Sequence, residues 1–250
     1  MNLFRPLAIF LGLIGVWQFV VWATGAPHYI LPGPARVARA LIARWPELIG
    51  HAGVTALEIV LGLALGALLG CVSALVIATF RPARLWLLPV LVVSQAIPVF
   101  ALAPVLVLWL GYGFASKVAM ATLIIYFPVT AAFFDGLRRT EPGWLDLART
   151  MGGSRAAILR HIQIPAALPA LSSGVRVATA VAPIGAVVGE WVGSSAGLGY
   201  MMLQANARMQ IDVMFAALFL LAIFAVGLYA AVDAGLRRAL PWQAEASLDN

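Results

Sequence analysis

The sequence predicts an all-α integral membrane fold of about six transmembrane helices, and three observations carry that prediction. Of the 250 residues, 63% are hydrophobic and 10% charged, where soluble domains hold roughly 45–50% and 25%. The apolar residues gather into windows of about 20, the length that crosses a bilayer. Those windows are almost free of charge. Open strands cannot satisfy their backbone groups in hydrocarbon, so the windows are read as helices with lipid as their solvent. One membrane domain, residues 1–250, accounts for the whole chain and leaves no room for a soluble one.

The first window, Leu7–Ala23, is uncharged. Arg5 before it is reminiscent of a signal peptide. The window is as long as a span, however, and Trp22–Pro27 lacks a small-x-small cleavage pattern, so a retained helix is expected. Thr55–Phe80 holds only Glu58, and its Gly62, Gly66 and Gly70 predict close packing of helices. Leu85–Leu110 carries no charge but three prolines, Pro89, Pro98 and Pro104. Each removes a backbone donor, and together around Ser94-Gln95 they predict a bent, cavity-lining helix. Val118–Phe134 is uncharged and holds Pro128. Pro165–Gly189 carries Arg176 with Pro165, Pro169 and Pro183, and Val213–Val232 is again uncharged.

The net charge is +6 without a block of like charges, which argues against a nucleic-acid partner. In a membrane protein the arginines report topology instead. With the N-terminus inside, ten Lys and Arg fall in inner segments; five (Arg36, Arg39, Arg44, Lys117 and Arg208) fall in outer ones. Both termini are therefore expected in the cytoplasm. Arg36, Arg39 and Arg44 are expected on a surface helix before Pro46. The lone Cys71 excludes an internal disulfide.

The most informative stretch is the inner loop, residues 135–164. Trp144, Leu147, Ala148 and Met151 share one helical face, Pro142 suits the first turn, and Gly152-Gly153 supplies a stop. Ser154 is placed to cap a second short helix, with Ile158, Leu159 and Ile162 opposite Arg155 and Arg160, closed by Pro165. Such an apolar stripe with a basic flank suits either lipid headgroups or a docking partner.

This loop reads Asp146-Leu147-Ala148, three residues, Gly152, nine residues, then Ile162-Gln163-Ile164-Pro165. It resembles the E-A-A, three residues, G, nine residues, I-x-L-P loop of binding-protein-dependent ABC permeases, with Asp for Glu, Leu for Ala and Ile for Leu. The likeness extends along the chain through Gln95-Ala96-Ile97-Pro98 and Gly197-Leu198-Gly199. It implies the type I importer permease fold with cytoplasmic coupling helices, in the bacterial inner membrane. It also implies a separate cytoplasmic ATPase that seats those helices, an extracytoplasmic binding protein, and a second copy of the permease. No G-x-x-x-x-G-K-[ST] loop occurs in the chain, so ATP and magnesium are expected in the partner and no cofactor here. Trp144, Asp146, Leu147, Ala148, Met151, Gly152, Ile162 and Pro165 are the expected ATPase-coupling residues.

For the translocation path the candidates are Ser94, Gln95, Pro98, Arg176 and Glu190. A polar amide beside a proline bend avoids lipid, and an intramembrane ionisable group is costly unless it serves a purpose. Arg176 has structural alternatives in Asp135 or freed carbonyls, and Glu190 in a solvated helix end. His28, His51 and His161 lack metal-ligand spacing and are read as solvated. Ser94–Gly113 and Val188–Leu198 look most like the branch serving taurine, alkanesulfonates, nitrate and thiamine-precursor pyrimidines. Within it, Ser-Gln-Ala-Ile-Pro-Val-Phe-Ala and Gly-Glu-Trp look closest to the pyrimidine permeases. A stand-alone secondary transporter would need inverted repeats and further buried charges. An intramembrane enzyme would need a nucleophile with a base, or a metal cluster. Neither pattern is evident in the sequence.

Overall fold

The computed structural model describes residues 4–94 and 97–242, and the regular structure among them is helical throughout. In order the helices are α1 (Phe4–Thr24), α2 (Pro34–Ala43), α3 (Trp45–Thr79), α4 (Arg81–Ser94), α5 (Val99–Leu110) and α6 (Phe114–Arg138). There follow α7 (Pro142–Thr150), α8 (Arg155–Ile158), a π turn over Leu159–Gln163, α9 (Ile164–Gly193), α10 (Leu198–Ala207) and α11 (Ile211–Ala239). Among the described residues, four helical stretches are long and apolar enough to cross a membrane: α3, α6, Arg155–Gly193 and α11. Ala8–Thr24 and Phe100–Leu110 are shorter apolar helices.

Helix α6 sits at the centre, between α3 and α9, and small residues set both contacts. A Cβ on Gly62, Gly66 or Gly70 would stand 2.4, 2.6 or 3.0 Å from side-chain atoms of Ala121, Ile125 and Val129. On the other side, a Cβ on Gly174 or Gly185 would stand 2.6 Å from Ala132 or 2.7 Å from Ala121. Meanwhile Leu61, Leu65, Leu68 and Leu69 of α3 point outwards. This inverts a soluble helix. Lipid is as apolar as leucine, so burying leucine gains little, whereas close backbone approach gains van der Waals contact. The glycine spacing therefore does what the sequence predicts. At the periphery, α1 leans on α11 through Trp17 stacked on Phe215, ring centroids 5.7 Å apart.

Two expectations are corrected. The third apolar window is two helices, because Pro98 stands at the N-cap of α5 with an extended ψ of 121° and no N–H to continue α4. The second coupling helix is not closed by Pro165. It runs through the π turn into α9, giving one continuous helix, Arg155–Gly193. The wide turn carries an Ile164 N–H to Leu159 C=O bond, which re-registers the ladder where the Pro165 ring would otherwise meet the carbonyl four residues back.

Candidate functional site

The site begins on α7, at the Arg155 end of the long helix. Leu147 C=O accepts from Met151 N–H; Gly152 N–H then donates to Arg149 C=O and Gly153 N–H to Ala148 C=O, both at 2.9 Å. That pattern is a Schellman stop. It requires Gly152 in the left-handed region, where its φ is +78°. Gly153 is held differently: a Cβ there would meet Ala148 O at 2.8 Å. Ser154 Oγ accepts from Ala157 N–H at 3.2 Å and starts the next helix, as expected.

The stop turns the apolar face of α7 outwards. Trp144, Leu147 and Met151 are 53, 61 and 79% exposed. With Ala148, Ile162 and Pro165 they line a groove of about 490 Å³, completed by His161, Ala166 and Trp242. Six of the eight predicted coupling residues thus share one surface. Gly152 makes the turn behind it, and Asp146 pairs with Arg149 at 2.7 Å in solvent. Trp242 was invisible to motif spacing because it arrives from the far end of the chain. Covering a large apolar side chain is worth about 1.5–3 kcal/mol, so this groove favours a partner.

At the opposite end of Arg155–Gly193 lies a buried polar cluster. Glu190 is 1% exposed, not a solvated helix end. One of its carboxylate oxygens accepts from Thr55 Oγ–H at 2.6 Å, and the other from Gly199 N–H and Tyr200 N–H. Thr55 Oγ in turn accepts Leu198 N–H at 2.7 Å. The first three N–H groups of α10 are therefore satisfied by side chains of α3 and α9. The N-cap itself, Gly197, has no side chain to offer. The helix dipole adds a positive end towards the carboxylate.

The Gly197-Leu198-Gly199 turn is glycine-rich for that reason. A Cβ would stand 2.2 Å from the Glu190 carboxyl at Gly197, where φ is +113°, and 2.7 Å from it at Gly199. Gly197 N–H donates to His51 Nδ1 at 3.0 Å, so the half-buried His51 is tied to this turn and carries its ring proton on Nε2. Beneath this cap Lys117 Nζ lies 3.2 Å from Glu58 Oε1, with both side chains buried. Lys117 was read as an outer-loop charge, yet α3 and α9 enclose it in the first turn of α6. The signal that was missed is the pairing of two opposite charges, Glu58 and Lys117, at the ends of separate apolar windows.

The five path candidates do not converge. Ser94 and Pro98 flank the α4–α5 break and are exposed; Gln95 lies outside the described residues. Glu190 is enclosed within the protomer. Arg176 pairs not with Asp135 but with Asp233 of α11, Nε to Oδ1 at 2.6 Å, because α9 faces α11 there. Asp233 also holds Arg237 at 2.8 Å.

Comparison with known proteins decides the family. Residues 62–241 match the family described as binding-protein-dependent transport system inner membrane component. The chain belongs to that family. The permease is 55% identical to a probable ABC transporter permease protein of Haemophilus influenzae, over 95% of this chain and 97% of that one. It is 35% identical to the formylaminopyrimidine transport permease protein ThiX of Halalkalibacterium halodurans, over 96% of each. It is 36% identical to the riboflavin transport system permease protein RibX of Chloroflexus aurantiacus, over 96% of this chain and 90% of that one. In fold it is similar to a chain of the inward-facing MetNI methionine ABC transporter, with a TM-score of 0.67 at 20% identity. That likeness covers 78% of this chain and 97% of the other. The protein is a multi-pass permease subunit of an ABC importer of the inner membrane.

Proposed function

We propose that the permease works as two copies, driven by a cytoplasmic ATPase and supplied by an extracytoplasmic binding protein, and that it carries a thiamine-precursor pyrimidine. The observation that supports the mechanical part is the groove of Trp144, Leu147, Ala148, Met151, Ile162 and Pro165. It is apolar, exposed and fixed by a Schellman turn, and it opens a continuous helix that reaches the outer end of the fold. An ATPase surface seated there pushes directly on Arg155–Gly193. No phosphate loop is present in the chain, so hydrolysis belongs to the partner.

The pyrimidine reading is supported by the likeness to ThiX and by the Gly-Glu-Trp segment at 189–191. A second groove, of about 690 Å³, is lined mostly by aliphatic side chains, with Phe100, Trp191 and a single amide, Asn206. An apolar groove with two aromatic rings and one polar group suits a flat heterocycle. Riboflavin, named for the relative RibX, is also a heteroaromatic and fits the same chemistry better than a sulfonate does. The test is competition in proteoliposomes holding the complete complex: formylaminopyrimidine uptake should survive excess taurine. Competition by taurine instead would assign the permease to the sulfonate branch.

Both termini face the cytoplasm in this reading. With Cys71 replaced, a cysteine at Ser154 should react with an impermeant thiol reagent only from the inner side, and one at Ser195 only from the outer. The reverse pattern overturns the orientation.

A further inference from the structure

One helix, Arg155–Gly193, carries the coupling groove at its inner end and Glu190 near its outer end. The 25 positions from Pro165 to Glu190 span about 38 Å at 1.5 Å per residue. Along this length α9 is seated on α6 through Gly174, Gly185 and Gly189, where a Cβ would stand 2.6–3.1 Å from its neighbour. A helix so closely packed moves as a body, because interiors are too dense to absorb a displacement locally.

What it moves is set by the cap. Helix α10 donates its first three N–H groups to Thr55 and Glu190, and its own N-cap residue supplies none of that bonding. Met202, Leu203 and Asn206 of α10 form one wall of the 690 Å³ groove, with Phe100 of α5 among the residues around it. Phe100 follows the break at Pro98, in a helix whose buried hydrophobic side chains are Ala103 and Val107. The groove therefore lies between α9 with its capped α10 on one side and Met214, Leu218 and Leu221 of α11, with Phe100, on the other.

We infer that Glu190 and Thr55 are positioning residues for transport. By capping α10 from two neighbouring helices they join it to the coupling-loop helix, so that movement of the loop changes the width of the outer groove. This rests on the reading of the loop as the ATPase contact.

The test uses the purified complex in proteoliposomes, with Cys71 replaced and a single cysteine at Leu203, which is exposed on α10 and lines the groove. Co-purification of the ATPase is scored first and tests the loop reading alone. The rate of labelling at position 203 is then compared with ADP and with ATP plus vanadate. The capped protein should show a nucleotide-dependent rate. Thr55→Val, which keeps the shape and removes the hydroxyl, should lose that dependence while hydrolysis continues, and Thr55→Ser should restore it. Substrate moved per ATP should fall about tenfold in Thr55→Val, the scale of one lost buried hydrogen-bond partner. A nucleotide-independent rate in the capped protein overturns the inference. So does an intact response in Thr55→Val, or a parallel fall of uptake and hydrolysis with their ratio unchanged, which is what a merely structural role produces.

Discussion

The two ends of the helix Arg155–Gly193 solve opposite problems. At the Arg155 end, large apolar side chains stand in solvent, and none of the described residues covers Trp144, Leu147 or Met151. At the Gly193 end, ionisable groups are sealed from solvent: Glu58, Lys117 and Glu190 are all 5% exposed or less. An uncovered apolar face waits for a partner, since its burial is a gain still to be made. A covered ionic cluster has already been desolvated and holds only while every member is present. The contrast teaches that the Arg155 end is built for contact and the Gly193 end for rigidity. Substitutions should therefore separate function from stability according to the end they strike.

The largest loss of stability is expected from Lys117→Met. It leaves buried Glu58 without its cation, a defect worth about 3–5 kcal/mol. The thermal midpoint of the detergent-solubilised permease should fall by many degrees, and the folded yield with it. A midpoint unchanged to within a degree would mean that the cluster is hydrated and the comparison mistaken.

Gly197→Ala comes next. Its Cβ would collide with the Glu190 carboxyl in a backbone region that costs about 1–3 kcal/mol for other residues. Protease cleavage between α9 and α10 should accelerate, which limited proteolysis detects. Gly152→Val strains its left-handed turn by about 1–2 kcal/mol, a smaller cost spent at the surface. Here the readout divides: membrane insertion and the thermal midpoint should hold nearly steady, while transport is abolished and ATPase co-purification weakens. Normal uptake by the well-expressed variant would remove the loop from the mechanism.

Trp144→Ala should shift stability least, within about 0.5 kcal/mol as for ordinary surface changes. ATPase affinity should nevertheless decline measurably in a pull-down titration. If Trp144→Ala destabilises the isolated permease as much as Gly197→Ala does, the groove is packed against something within the chain and the contrast between the two ends fails.

Much of this was legible beforehand because it depends on short-range rules. The apolar windows announce helices since lipid admits little else. Gly62, Gly66 and Gly70 announce a contact face because their spacing is local to one helix. The coupling turn is readable from Gly152, Gly153 and Ser154, each of which acts on backbone within five residues. Trp144, Leu147, Ala148 and Met151 then share a face by helical geometry alone.

Tertiary structure decided the partners of the charges. Glu190 meets Thr55 across 135 positions, and Arg176 meets Asp233 across 57. No periodicity encodes either pairing, because which faces of two helices meet depends on how a third, α6, spaces them. The same holds for the π turn that makes Arg155–Gly193 continuous. A proline reads as a stop in sequence, yet a packed helix accepts it where the ladder can slip by one residue. The sequence determined that the chain crosses the membrane and where it presents an exposed apolar face. The placement of its buried charges, and the capping of α10 by two other helices, followed only from three-dimensional packing, because electrostatic and capping bonds in hydrocarbon form wherever the nearest partner lies in space.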